Sequence, residues 1–293
     1  MPAPATRIPA PLLIVGGMFS LQFGAALAQS SFDTVGPLGA TLLRLLFAAA
    51  ILVVLFRPKV WRWGWKAWRA AILLGIALGA MNQFIYLSIA TVPIGVAITI
   101  EFLGPLVLAM VQLRRWSDAI WALLALAGVV LLGVQAVTGL DPLGVAYAVA
   151  AGICWAGYIL ASANLGKALP GTGGLAVAMV IAAVVAVPLG ASGALNVALQ
   201  PSLIALLLLV AVMSSAIPYA LELRALRTLP TRVFGILQSV GPAAAAIAGF
   251  VVLGQGLQWQ EIAALVFVSV ASIGISLSSR PRTSPAARIE IPG

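Results

Sequence analysis

The sequence has no histidine and only one cysteine, Cys154, among its 293 residues. Without histidine, the chain can build neither a histidine-ligated metal site nor a histidine proton relay. A single cysteine cannot form a disulfide within the chain. The G-x-x-x-x-G-K-[ST] motif that cradles nucleotide phosphates is absent, and no stretch resembles a nucleophile–base pair. We therefore expect no metal, no cofactor, no enzymatic activity and no ATP-driven work by this chain alone.

Charged residues are scarce as well. They make up 8% of the chain, whereas 62% of the residues are hydrophobic and the mean hydropathy is +1.14. A soluble globular protein carries about 25% charged residues, so this chain has too few to cover a surface that faces water. Lipid must therefore be its solvent. The long, unbroken apolar runs favour membrane-spanning helices over the alternating strands of a β-barrel.

Ten apolar runs follow one another along the chain, each near the length of about 20 residues that a bilayer requires. They cover residues 10–30, 38–56, 70–90, 93–113, 116–137, 142–163, 172–192, 201–221, 231–253 and 260–278. Only the short turn around Thr91, Val92 and Pro93 separates the third run from the fourth. Joining them would make a helix far longer than a bilayer is thick. The sequence thus predicts an all-α integral membrane protein of ten transmembrane helices.

The positive charges are distributed unevenly between the loops. If the N-terminus is cytoplasmic, fifteen of the sixteen Lys and Arg residues fall in cytoplasmic segments and none in an outer loop. The remaining cation, Arg44, lies within a span. This distribution satisfies the positive-inside rule and places both termini in the cytoplasm. The net charge of +9 then reflects membrane orientation, and we expect no nucleic-acid partner.

The first run has a second interpretation. Arg7, the apolar stretch and Ala26-Leu27-Ala28 resemble a cleavable signal peptide, whose removal would leave one span fewer. The internal repeat requires the first helix, so we expect the segment to be retained.

That repeat relates residues 81–106 to residues 218–243 at a constant offset of 137. Val92-Pro93 corresponds to Leu229-Pro230, and Gly104-Pro105 corresponds to Gly241-Pro242. The predicted halves are residues 10–137 and 142–278, followed by a cytoplasmic, disordered tail at 279–293. Five spans in each half would insert the halves in opposite orientations, as in secondary transporters whose site lies between inverted repeats. Chance similarity between apolar segments is the alternative.

Glu101 is the acidic residue placed deepest in a predicted span, about 12 Å below the outer surface at 1.5 Å per residue. A carboxylate at such a depth costs about 2.5–3.5 kcal/mol, and burial favours its neutral form. Glu101 is therefore a candidate proton carrier or ligand for an ammonium group, although it could merely tie helices together. Arg44 lies at a similar depth, so it could form an ion pair with Glu101 or extend to the headgroups.

The two Gly-Pro pairs lie beside polar residues. A proline inside a helix frees the carbonyl four residues earlier, which belongs to Glu101 for Pro105 and to Gln238 for Pro242. Freed carbonyls near a carboxylate would suit an ammonium group, and the adjacent glycines, Gly104 and Gly241, would allow bending. The alternative is that the prolines kink the helices to improve packing.

Other polar and aromatic residues are candidates for lining a substrate site. Asn82 and Tyr86 share one helix face because they lie four residues apart, and the repeat relates Tyr219 to Asn82. Weaker candidates are Gln22, Trp155 and Tyr158. Tryptophan and tyrosine also occur in the interfacial belt. Gly75 and Gly79 form a GxxxG pair that we expect to pack helices.

Three segments of the sequence, 79–106, 152–160 and 217–235, resemble the bacterial threonine/homoserine exporters, which belong to the EamA branch of the drug/metabolite transporter superfamily. The resemblance spans about residues 10–278. It implies ten helices in two inverted five-helix repeats, a location in the bacterial inner membrane, and export of small amino acids against proton entry. Two positions depart from the family pattern, since Gly241 and Gln255 stand where acidic residues are often found. Glu101 is then left as the one core acid.

The leading hypothesis is an amino-acid exporter that works by alternating access, with no ATPase subunit required. An uncoupled facilitator, or a flippase for other small metabolites or drug-like compounds, is the alternative. A structural or enzymatic membrane subunit without transport activity is a third possibility, which the absence of a catalytic constellation argues against.

Overall fold

The computed structural model describes residues 10–111, 139–169, 171–196, 200–218 and 240–278, together with 120–121, 123–124, 127–128, 131 and 221. Every regular element among these residues is helical. The helices are α1 (Ala10–Gln29), α2 (Phe32–Phe56), α3 (Trp65–Ile89), α4 (Ile94–Glu101), α5 (Leu103–Val111), α6 (Pro142–Ala168), α7 (Gly173–Leu195), α8 (Pro201–Ala211), α9 (Gly241–Leu253) and α10 (Trp259–Ser278). A short 3₁₀ helix, Val60–Arg62, precedes α3, and a π-helical turn, Val212–Ala216, continues α8.

Five of these helices are long and apolar enough to cross a membrane by themselves: α1, α2, α3, α6 and α7. The predicted run at 93–113 is divided at Phe102 into α4 and α5, although Phe102 keeps helical backbone angles and helical hydrogen bonds to Ile98 and Leu106. In α2, the backbone is non-helical at Gly36, whose φ is 68°, so a short helical turn precedes the predicted run at 38–56. Most of the predicted run at 116–137, and residues 231–239 of the ninth run, lie outside the described residues.

Local sequence explains where two of the helices begin. Asp141 caps α6, because its carboxylate accepts hydrogen bonds from the amides of Leu143 and Gly144, both at 3.1 Å. Pro142 occupies the first turn of α6, where a missing amide hydrogen costs nothing. Helix α4 is capped from elsewhere in the chain, because the Gln255 side-chain oxygen accepts a hydrogen bond from the amide of Ile94 at 3.1 Å.

Helix α3 packs against α6 and α7, and α2 also packs on α7. Small residues permit these close approaches. A side chain on Gly75 would lie 2.7 Å from the carbonyl oxygen of Ala178, and one on Gly79 would lie 3.0 Å from that of Ala182. The prediction that the GxxxG pair packs helices is therefore confirmed, with α7 as the partner. Helix α4 contacts α6, α9 and α10, while α1 contacts α8 and α9, so elements of both sequence halves interleave.

Candidate functional site

A cavity with about 890 Å³ of empty space lies between helices from both halves of the chain. This space includes the open mouth of the cavity. Its polar and aromatic lining consists of Gln22, Arg44, Asn82, Tyr86, Glu101, Trp155 and Tyr158, and Gly241 completes that part of the wall. All of these residues were candidates from the sequence, and the fold brings them together. The other two candidates, Tyr219 and Gln238, lie outside the described residues.

The rest of the lining is apolar and was not identified from the sequence. It consists of Met18, Leu21, Ala25, Met81, Ile85, Ile89, Ile94, Ile98 and Pro218. Helical periodicity could have identified most of these apolar residues, because they lie on the same helix face as a polar residue that lines the cavity. Ile85 and Ile89 follow Asn82 at spacings of three and seven residues, and Ile94 and Ile98 precede Glu101 in the same way.

Arg44 lies in the middle of α2 with only 3% of its surface exposed. Its Nη2 donates a hydrogen bond to the side-chain oxygen of Asn82. The amide nitrogen of Asn82 donates in turn to the carbonyl oxygen of Leu78 at 2.7 Å, which fixes the orientation of the amide. The guanidinium carbon of Arg44 also lies 4.8 Å from the centre of the Tyr86 ring, so the positive charge faces the negative face of an aromatic ring.

Glu101 is the last residue of α4, immediately before the break, and 5% of its surface is exposed. It lines the same cavity as Arg44, whose positive charge acts on it. The described partners of the guanidinium are Asn82 and Tyr86, so a direct ion pair between Arg44 and Glu101 stays a prediction. The backbone carbonyl of Glu101 faces α6, where a side chain on Gly152 would lie 2.7 Å from its oxygen.

The Gly104-Pro105 pair lies within a helical stretch. The amide of Phe102 donates to the carbonyl oxygen of Ile98 at 2.9 Å, and the amide of Leu106 donates to the carbonyl oxygen of Phe102 at 3.2 Å. Phe102 itself has helical backbone angles. Proline has no amide hydrogen, so Pro105 leaves the carbonyl of Glu101 without a helical hydrogen bond. Pro242 is the second residue of α9, and Gln238, four residues before it, lies outside the described residues. Gly104 has a packing role as well, because a Cβ atom there would overlap the carbonyl of Gly152.

Side chains around the cavity hold the broken segments in place. Gln22 donates from its amide nitrogen to the carbonyl oxygen of Gly241 at 3.4 Å, so α1 contacts the first residue of α9. The Trp155 ring meets Phe102 edge-on, with 5.6 Å between ring centres, at the break between α4 and α5. Gln22 and Trp155 therefore each connect the cavity wall to the start of a helical segment.

The turn between α3 and α4 is anchored at one end of the cavity. Gln29 of α1 donates from its amide nitrogen to the carbonyl oxygen of Ile89 at 2.5 Å. Thr91 in the turn donates from its hydroxyl to Asp141, and this hydrogen bond, with those from the Leu143 and Gly144 amides, holds the pKa of the Asp141 carboxyl below its usual range. Gln255 caps α4 from beyond α9. Elements of both halves thus meet at this turn.

Comparison with known proteins relates this chain to a transporter family and to two named exporters. A model of the EamA-like transporter family matches residues 142–277. A protein named threonine/homoserine exporter RhtA from Salmonella typhimurium (strain SL1344) is 42% identical over 286 residues, covering 96% of each chain. The protein of the same name from Escherichia coli (strain K12) is 42% identical over 276 residues, covering 93% of this chain and 92% of the other.

A solved structure titled "Crystal structure of protein" also shares the fold, with a TM-score of 0.60. It covers 91% of this chain and 97% of its own, at 21% sequence identity. The agreement in fold therefore extends over nearly the whole of both chains.

Proposed function

Because this chain belongs to the EamA-like transporter family, we propose that it is a secondary transporter that exports amino acids of the threonine and homoserine type across the bacterial inner membrane. Its relatives are transporters and not enzymes. One observation carries the proposal: a cavity between the two halves of the chain holds both a buried acid and a buried cation. An amino acid is a zwitterion, so this pair of charges complements both of its ends.

The proposed architecture has ten transmembrane helices in two inverted repeats, 10–137 and 142–278, with both termini in the cytoplasm. The cavity lining supports it, because several lining residues form pairs at the sequence offset of 137. These pairs are Met18 and Trp155, Leu21 and Tyr158, and Met81 and Pro218. A two-fold axis through the cavity would place such pairs on opposite walls.

The helix contacts support the same symmetry. In the repeat, α1 corresponds to α6, α2 to α7, α3 to α8, and α4–α5 to α9. The contact of α1 with α9 then has a counterpart in that of α6 with α4 and α5, and the contact of α1 with α8 has one in that of α6 with α3. The contact of α2 with α8 likewise has a counterpart in that of α7 with α3.

Transport proceeds by alternating access, and Glu101 couples it to protons. An uncompensated carboxylate is costly at this depth, so Glu101 changes sides readily only when it carries a proton or pairs with the ammonium group of the substrate. Export of one amino acid and entry of a proton then alternate on the same carboxylate. The helices bend at Gly104-Pro105 and Gly241-Pro242 during the change of access.

The test is transport of labelled threonine in proteoliposomes, with and without an imposed pH gradient. The wild-type protein is expected to transport threonine faster when protons move in the opposite direction. Glu101→Gln keeps the size of the side chain but holds it neutral, and is expected to abolish the effect of the gradient. Asp33→Asn is a matched control because Asp33 is exposed in the first turn of α2, away from the cavity.

Other results of this transport experiment would favour the alternative functions. Threonine transport that ignores the gradient would identify an uncoupled facilitator. Full transport by Glu101→Gln at every pH would remove Glu101 from the mechanism. Failure of the wild-type protein to transport any amino acid would contradict the proposed function and favour a flippase for other compounds.

A further inference from the structure

Two buried hydrogen-bonding atoms on the cavity wall have no partner in the structure. They are the Nε of Arg44 and the hydroxyl of Tyr86. Both side chains line the cavity, and their exposed fractions are 3% and 1%. Buried polar groups in proteins are normally satisfied, so each exception requires an explanation.

The surrounding contacts hold these two donors in fixed positions. Asn82 binds one end of the guanidinium, and its own amide is anchored on Leu78. The Tyr86 ring lies 4.8 Å from the guanidinium carbon and packs against Phe32 on another side, with 5.6 Å between ring centres. The charge of Arg44 therefore remains beside the hydroxyl-bearing ring, while its Nε–H is left free.

A carboxylate is the group that this arrangement fits. The free Nε–H of Arg44 is a donor that belongs to a positively charged guanidinium, and the Tyr86 hydroxyl is a second donor within the same cavity. A carboxylate offers only acceptors, whereas an ammonium group offers only donors and would be repelled by Arg44. The ammonium end of a zwitterion is left to Glu101, the acid that lines the same cavity.

We propose that Arg44 and Tyr86 bind the α-carboxylate of the transported amino acid, and that Asn82 is a positioning residue that holds Arg44 for this contact. The inference rests on the proposed function and narrows its substrate class. Compounds with an amino group and a free carboxylate are substrates, whereas their amides and esters are discriminated against. The site binds the two charged ends of the substrate, and the apolar wall contacts its side chain.

The experiment is competition against labelled threonine in proteoliposomes by unlabelled threonine and by threoninamide, which keeps the ammonium group but has no carboxylate. The wild-type protein is expected to bind threonine at least about tenfold more tightly than the amide, because hydrogen bonds to a charged group are lost. Tyr86→Phe removes only the hydroxyl. It is expected to weaken competition by threonine several-fold, leave that by the amide unchanged, and so reduce the ratio between them.

Tyr147→Phe is the matched control, since Tyr147 on α6 stacks on Phe84 and does not line the cavity. It is expected to keep the wild-type ratio. Asn82→Ala is expected to lower the ratio as Tyr86→Phe does, because it releases the guanidinium. If Asn82 had only a structural role, Asn82→Ala would weaken competition by threonine and by threoninamide equally.

Equal competition by threonine and threoninamide in a wild-type protein that transports threonine would overturn the inference and leave the proposed function intact. An unchanged ratio in Tyr86→Phe would overturn the assignment of the hydroxyl. A wild-type protein that transports no amino acid would overturn both the inference and the proposed function.

Discussion

A single methyl group at Gly152 tests how closely the two halves of the protein approach each other. A Cβ atom at this position of α6 would lie 2.7 Å from the carbonyl oxygen of Glu101 and 3.4 Å from its carbonyl carbon. Both are backbone atoms, which cannot rotate away as a flexible side chain could. Gly152→Ala would therefore force α6 and the break between α4 and α5 apart by several tenths of an ångström.

Overpacking of this kind costs about 1–3 kcal/mol. Gly157 on the same helix provides the control, because a Cβ atom there meets no atom within 4 Å. Replacing a helical glycine with alanine in open space stabilises a protein by about 0.5–1 kcal/mol. The same chemical change five residues apart on α6 is thus expected to have opposite signs, with a difference of about 1.5–4 kcal/mol.

The assay is thermal unfolding of the purified protein in detergent, followed by tryptophan fluorescence. Gly152→Ala is expected to unfold several degrees below Gly157→Ala, at about 2 °C or more for each kcal/mol. It should also slow threonine export, since the displaced carbonyl belongs to Glu101. Equal unfolding temperatures for the two variants would refute the close approach, and normal export by Gly152→Ala would show that the spacing at this crossing does not matter for transport.

Two further predictions concern the turn between α3 and α4. Asp141 has a lowered pKa in the folded protein, so its contribution to stability is present above about pH 4 and is lost as the pH falls through that lowered value. Asp141→Asn should flatten the acid side of the unfolding-temperature profile; parallel profiles for wild type and Asp141→Asn would contradict this. Gln255→Ala should lower stability by about 1 kcal/mol by removing the cap on Ile94. Gln255→Glu should retain the cap, because a carboxylate also accepts a hydrogen bond and is favourable at a helix N-terminus. An alanine variant that unfolds at the same temperature as the wild type would exclude the cap.

The polar part of the site could be predicted from the sequence because lipid hydrocarbon offers no hydrogen-bonding partners to polar groups. A polar side chain at membrane depth must face protein or a cavity, so depth alone selected Arg44, Asn82 and Glu101. The apolar part could not be predicted in this way. Ile98 lines the cavity and Val107 is exposed on the surface, yet both are aliphatic residues in the same predicted span. Hydrophobicity does not distinguish a lipid-facing position from a cavity wall, so this distinction needs the packing of neighbouring helices.

The fourth predicted span shows a second limit. The Gly-Pro pair at 104–105 indicated that the Glu101 carbonyl lacks a helical hydrogen bond, but it did not indicate which helix packs against that carbonyl. The approach of Gly152 to the Glu101 carbonyl involves residues distant in sequence, and no local pattern reveals it. Gln255 shows the same limit, since comparison with the family pattern marked it as a missing acid, whereas the structure gives it a partner at Ile94.

Among the described residues, both charged side chains that line the cavity come from the first half of the chain. At the offset of 137, Arg44 corresponds to Ile181, and Glu101 corresponds to Gln238. Ile181 lies at the crossing of α3 and α7, where a side chain on Gly75 would lie 2.6 Å from its Cβ atom, so that position serves packing. A zwitterion has two different ends and needs an oriented site. An acid and a cation that are present in the first half and stand opposite Gln238 and Ile181 at the offset of 137 can provide that orientation.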